Sequence, residues 1–143
     1  MTSGYVSDEV RQRVRQAAGD RCGYCLSHQR YLLGPLEIEH IVPQARGGGD
    51  DEANLWLACP RCNRYKGTQI EALDLATGNL QPLFNPRTQR WHDHFQWDAE
   101  GVVILGLTSI GRATIEALHL NHEHALAVRR NWVAAGWHPP VKS

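Results

Sequence analysis

Residues 37–67 read EIEHIVPQARGGGDDEANLWLACPRCNRYKG, and the fold turns on how this stretch divides. Leu36, Ile38 and Ile41 mark a short strand, which Pro43 stops because proline cannot donate to a ladder. A polar loop over residues 44–53 contains Gly47, Gly48 and Gly49. Leu55, Trp56 and Leu57 form a second strand. A helix is predicted to begin near Pro60, where a first turn has no use for the missing amide hydrogen, and to pass through Asn63 to about Tyr65. The order is strand, long loop, strand, helix. Strict alternation puts Glu37 and Glu39 on one strand face and His40 on the other, unless the strand twists or ends there.

Outward from this stretch, the cysteines carry the next signal. Cys22 and Cys25 form one Cys-x-x-Cys pair and Cys59 and Cys62 a second, with thirty-three residues between the pairs. Two such knuckles supply four thiolates to one tetrahedral zinc, a closed shell and therefore a structural site. The alternative is four buried free thiols. The N-terminal MTSGYVSDEV lacks the basic and then apolar blocks of a secretory signal, and no run of eighteen apolar residues suggests a membrane span. A cytoplasmic setting is therefore expected, in which paired cysteines serve metals more often than disulfides.

At 143 residues with 42% hydrophobic content, the chain is expected to form one folded domain. Fifteen basic residues balance fifteen acidic ones, so any grip on nucleic acid needs a local patch rather than a global charge. Eleven of the fifteen basic residues fall at or before Arg90, but ten acidic residues share that region. Upstream, Ser7, Asp8 and Glu9 mark a helix start, Val6, Val10 and Val14 recur at helical spacing, and Gly19 is its stop. Downstream, residues 70–75 are predicted as one or two helical turns ended by Thr77, Gly78 and Asn79. Trp91, Phe95 and Trp97 are read as an extended stretch leading into a hairpin with residues 102–107. Thr108 or Ser109 caps a helix to about Leu118, and Asn121 caps another to about Ala135. Trp91, Phe95, Trp97, Trp132 and Trp137 are assigned to the core.

Glu39-His40, Asn54 and Asn63, set within EHIVP, the glycine loop, NLWLAC, CPRCN and Lys66-Gly67, resemble the HNH endonuclease family. The resemblance spans roughly residues 21–67. LFNPR (residues 83–87), WHDHFQW (91–97) and GRAT (111–114) are similar to a C-terminal extension of a bacterial subgroup. The resemblance implies an α+β fold: a ββα-metal core over about residues 20–68 with a structural zinc, an N-terminal helix, and a hairpin-plus-helices extension over about 80–140.

It further implies a metal-dependent endonuclease that hydrolyses DNA phosphodiester bonds, leaving 5′-phosphate and 3′-hydroxyl ends. His40 matches the general base, and histidine's titration near neutrality suits that task. Asn54 matches the residue that orders the loop and holds the base. Glu39 and Asn63 match the ligands of a catalytic divalent ion, Mg²⁺ or another, and Glu37 is a candidate to assist. Lys66 or Arg64 is a candidate phosphate contact. The implied partner is DNA, double-stranded, with no membrane. A competing class is a non-catalytic zinc-knuckle protein that binds nucleic acid without cutting it. A zinc deaminase is excluded, because its His-x-Glu and Pro-Cys-x-x-Cys patterns are absent. The remaining histidines, His92 and His94 around Asp93 and the group His119, His122 and His124, lack a convincing ligand set.

Overall fold

The computed structural model of the chain describes residues 6–141. The MTSGY segment, which entered the reading of the N-terminus, lies outside the described residues. The fold is α+β. The chain forms two compact units. One extends as far as Ile70 and takes in Asn85–Gln89, and the other holds Glu71–Phe84 and the chain from Arg90 onward.

The first unit opens with helix α1 (Asp8–Ala18). Ser7 caps it, its hydroxyl accepting from the Val10 amide at 3.2 Å, and Asp8 and Glu9 lie where the helix dipole favours negative charge. Gly19 ends it in the left-handed region at φ 64°, donating its N–H back to Arg15 and Gln16. Val14 is fully buried where α1 packs on strand β2. Strands β1 (Glu37–His40) and β2 (Leu55–Ala58) pair antiparallel, with Glu37 opposite Ala58, Glu39 opposite Trp56 and His40 opposite Leu55. Helix α2 (Pro60–Lys66) follows at once, with Pro60 in its first turn as its missing donor predicts.

The loop between β1 and β2 is shaped by its glycines. Gly47 sits at φ 89°, and a Cβ on Gly48 would run into the carbonyl oxygen of Val42.

In the second unit, residues 71–82 depart from expectation. They form not helical turns but a hairpin of β3 (Glu71–Asp74) and β4 (Asn79–Pro82). The predicted helix stop is the hairpin's turn. The Asp74 carboxylate accepts from the Ala76 amide and the Thr77 hydroxyl, and Gly78 adopts φ 77°. Helix α4 (Ser109–Leu118) packs on β3, and Arg112 from α4 forks onto Asp74 with both hydrogen bonds at 3.0 Å.

Trp91–His94 is one helical turn, α3, rather than extended chain, and β5 (Phe95–Trp97) then pairs with β6 (Ile104–Gly106) as the expected hairpin. Thr108 caps α4 as read from the sequence. Asn121 does not cap α5 (Glu123–Ala134). Its amide instead bonds both backbone groups of Ile104, and His122 caps the helix by accepting from His124. Phe84, Trp91 and Phe95 are buried together, but Trp137 is 50% exposed and does not belong to the core. Among the described residues no helix is long and apolar enough to cross a membrane.

Candidate functional site

The first knuckle is a tight turn between α1 and β1. The Cys22 amide donates to Ser27 O at 2.9 Å, Leu26 closes back on Cys22 O at 3.0 Å, and Leu26 takes a positive φ of 62°. Gly23 N bonds Leu57 O at 2.9 Å, which ties this knuckle to β2. The second knuckle is the start of α2. Cys59 is its N-cap residue, and its sulfur accepts from the Cys62 amide at 3.4 Å. All four cysteines are buried, their sulfurs lie within 4.8 Å of one another, and Cys25 Sγ is 3.8 Å from Cys59 Sγ.

That separation is far too long for a disulfide. It matches the roughly 3.8 Å edge of a tetrahedron whose centre lies about 2.3 Å from each sulfur, the zinc–thiolate distance. Burial pushes the Cys22 thiol up, while hydrogen bonds from its neighbours, Cys22 foremost, hold Cys25 well below its ordinary value. The four cysteines can bind zinc. Among the described residues they are the one group of this kind that could hold a metal, so the histidines around Asp93 and at residues 119–124 form no second cluster.

The remaining candidates sit on β1, the loop after it and α2. His40 ends β1 half-buried, and its Nε2 lies 2.6 Å from Asp50 Oδ1. Asn54 faces back across the loop. Its Oδ1 accepts from Val42 N at 2.8 Å, and its Nδ2 donates to Val42 O at 3.0 Å and Gly49 O at 2.9 Å. The side chain of Asn54 thus extends the β1–β2 pairing past the last ladder residue and holds the segment that carries Asp50.

Asn63, on α2, donates its amide to Glu37 Oε1 at 2.9 Å, and Glu37 is exposed. Glu39 lies two residues along the same strand face but is only 2% exposed. The Tyr24 hydroxyl reaches both its oxygens, at 2.6 and 2.8 Å, and the Lys66 ammonium stands 3.2 Å from Oε1. Burial raises the Glu39 carboxyl above its ordinary value, with Lys66 and Tyr24 opposing that rise. It also raises the Tyr24 phenol well above its own.

Lys66, a candidate phosphate contact by sequence, is buried. Besides Glu39, its ammonium bonds His40 O at 3.1 Å and Ile41 O at 2.9 Å, so all three of its protons are used inside the fold. Arg64 is exposed.

The structure therefore gathers the four cysteines, and separately joins His40 to Asp50 and Asn63 to Glu37. Asn54 lies behind the loop, and Glu39 turns into the interior. Asp50 and Tyr24 went unread in the sequence. Asp50 stands among Asp51 and Glu52 with no local feature to mark it, and Tyr24 is marked only by its place between Cys22 and Cys25.

No curated protein matches this chain. Residues 22–69, about a third of the chain, match the family model described as HNH endonuclease; the matched segment holds all four cysteines, and the match supports a nuclease or nucleic-acid-binding role.

Proposed function

We propose that the chain is a zinc-stabilised, metal-dependent endonuclease that hydrolyses phosphodiester bonds in double-stranded DNA. The observation that carries this reading is the His40–Asp50 pair at 2.6 Å, half-exposed at the end of β1 and backed by the Asn54 staple. A structural histidine has no need of a carboxylate presented on a loop so constrained. A general base does, because the partner on one ring nitrogen orients the ring and leaves the other nitrogen to take a proton.

In this reading His40 removes a proton from water as the water oxygen attacks phosphorus. The bond to the 3′ oxygen breaks, and the ends are a 5′-phosphate and a 3′-hydroxyl. Asp50 holds the imidazole and stabilises the charge it acquires, and Asn54 keeps Asp50 in reach. The donors beside β1 are hard oxygens, a carboxylate and an amide, and fit Mg²⁺ or a similar divalent ion. The family resemblance taken alone would assign Asn63 together with Glu39 as its ligands. When bound, that ion supplies charge stabilisation at the phosphate and the leaving oxygen. Zinc on Cys22, Cys25, Cys59 and Cys62 does no chemistry. A reducing, cytoplasmic setting keeps those thiols available.

The test is nicking of supercoiled plasmid with added Mg²⁺ or Mn²⁺. His40→Ala is expected to lower the rate by roughly 10²- to 10⁴-fold. Undiminished nicking by that variant would sink the base assignment. Tight DNA binding with no cleavage under any divalent ion would instead point to a binding module.

A further inference from the structure

We infer that the carboxylate ligand of the divalent ion is Glu37, paired with Asn63, and that Glu39 is a buried positioning group that links the zinc knuckle to the strand carrying His40. This rests on reading residues 22–69 as a metal-dependent nuclease centre.

Two carboxylates on one face of β1 compete for the role, and their surroundings separate them. Glu39 is 2% exposed and its oxygens are taken by two donor groups, the Tyr24 hydroxyl and the Lys66 ammonium. An ion held by few protein groups must keep waters and accept phosphate oxygens, and neither fits around a carboxylate enclosed in this way. The Lys66 ammonium already supplies the positive charge at Glu39, and a dication beside it would be repelled at a distance where repulsion is strong. Opening the site to a metal would strip three interactions from Lys66 and Glu39 and leave buried charges unpaired, a costly change.

Glu37 has the opposite setting. It is exposed, it meets Asn63 at 2.9 Å, and no buried cation is placed on it. Its present bond is with the Asn63 amide nitrogen. Rotating that amide by half a turn presents its oxygen instead, and the pair becomes two hard oxygen donors facing one solvent-accessible position.

Glu39 then has a different task. Tyr24 lies between Cys22 and Cys25, Lys66 ends the helix that Cys59 and Cys62 begin, and Lys66 also holds the carbonyls of His40 and Ile41. Tyr24, Glu39 and Lys66 thus form a continuous buried path from both cysteine pairs to the backbone of the base. In this arrangement Glu39 acts through His40, not on the substrate.

The experiment is Mn²⁺ binding to the zinc-loaded full chain without nucleic acid, followed by electron paramagnetic resonance of free Mn²⁺, with the thermal midpoint measured alongside. Loss of a single ligand should cost at least the roughly tenfold seen for partners one shell further out. Glu37→Gln and Asn63→Ala are each expected to weaken Mn²⁺ by that much or more, with an unchanged midpoint. Glu39→Gln is expected to lower the midpoint. Should it fail to fold, Tyr24→Phe reports on the same network, and it is expected to lower the midpoint while keeping Mn²⁺ affinity within about twofold of the parent, well inside that tenfold scale. Weakening by Asn63→Ala but not by Glu37→Gln overturns the Glu37 assignment while leaving the proposed nuclease centre standing. So does a folded Glu39→Gln or Tyr24→Phe protein that loses Mn²⁺. Absence of saturable Mn²⁺ binding in the parent chain overturns both.

Discussion

His40 Nε2 and Asp50 Oδ1 meet at 2.6 Å across a loop that begins directly after β1 and is tied down between them by Asn54. The carboxylate is brought to the ring by ten residues of chain, not by a neighbouring element, so the pair depends on the loop keeping one shape.

Asp50→Asn keeps that shape and removes the charge. The cleavage rate is expected to fall roughly 10- to 100-fold, while DNA affinity and the thermal midpoint stay near the parent values. Single-turnover cleavage measured beside a binding titration separates these quantities. An Asp50→Asn protein that cuts at the parent rate would mean that His40 works without this partner.

Asn54→Ala removes three hydrogen bonds at once. The side chain is partly exposed, so water replaces some of them and the loss should be about 1–2 kcal/mol. The larger effect is expected on cutting, because the segment that carries Asp50 is no longer held. Amide exchange over residues 42–50 should quicken in this variant. Unchanged exchange there would remove Asn54 from its stapling role.

Chelation should unfold the first unit selectively. All four cysteines lie in it, and the free energy of binding zinc is also folding free energy. With zinc stripped under reducing conditions, hydrogen exchange should show lost protection over residues 22–67 and retained protection in β5, β6 and α4. Cleavage should vanish with that protection and return when zinc is restored. Full protection of the first unit after verified zinc removal would contradict this account.

The second unit carries an acid-sensitive bond. Hydrogen bonding from Arg112 holds the Asp74 carboxyl at about 2, below its ordinary 3.8. A group whose folded value is depressed adds stability that is present above 3.8 and is lost as pH falls towards about 2. An acid titration followed by the near-ultraviolet signal of the second unit should show weakening through that window. Arg112→Gln should move the transition to higher pH, and an unshifted transition would assign the acid sensitivity elsewhere.

Sequence reading succeeded where a residue's own covalent chemistry decides the structure. Ser7 caps α1, Gly19 ends it, Pro60 starts α2 and Thr108 caps α4, each because a hydroxyl, a missing Cβ or a missing amide hydrogen admits few alternatives. The cysteine cluster was legible for the same reason, since two short knuckles have few other uses.

Failures came where partners from distant sequence decide. Residues 70–75 carry apolar residues that suit either a helix or a strand, and packing against α4 selects the strand. Asn121 has the chemistry of a cap, but Ile104 offers it two backbone partners at once. Lys66 looked like a surface cation, yet Glu39 and two carbonyls hold it inside. Asp50 could not be told from Asp51 and Glu52 until the loop was seen to fold back on His40. Glu39 and His40 lie apart as strict alternation on β1 has it, whereas placing both in one site had asked for a twist or the strand's end there.

Helix α2 has only seven residues, and both of its ends are anchored, one by Cys59 and Cys62 and the other by the buried ammonium of Lys66. Its length is therefore not free to drift. One residue added between Cys62 and Lys66 would turn the lysine about 100° around the axis and carry it about 1.5 Å along, away from Glu39 and the strand carbonyls. The count from the second cysteine to the lysine works as a ruler, setting how far His40 stands from the four cysteines, and substitutions on the outer face of α2 should be tolerated far better than any change in its number of residues.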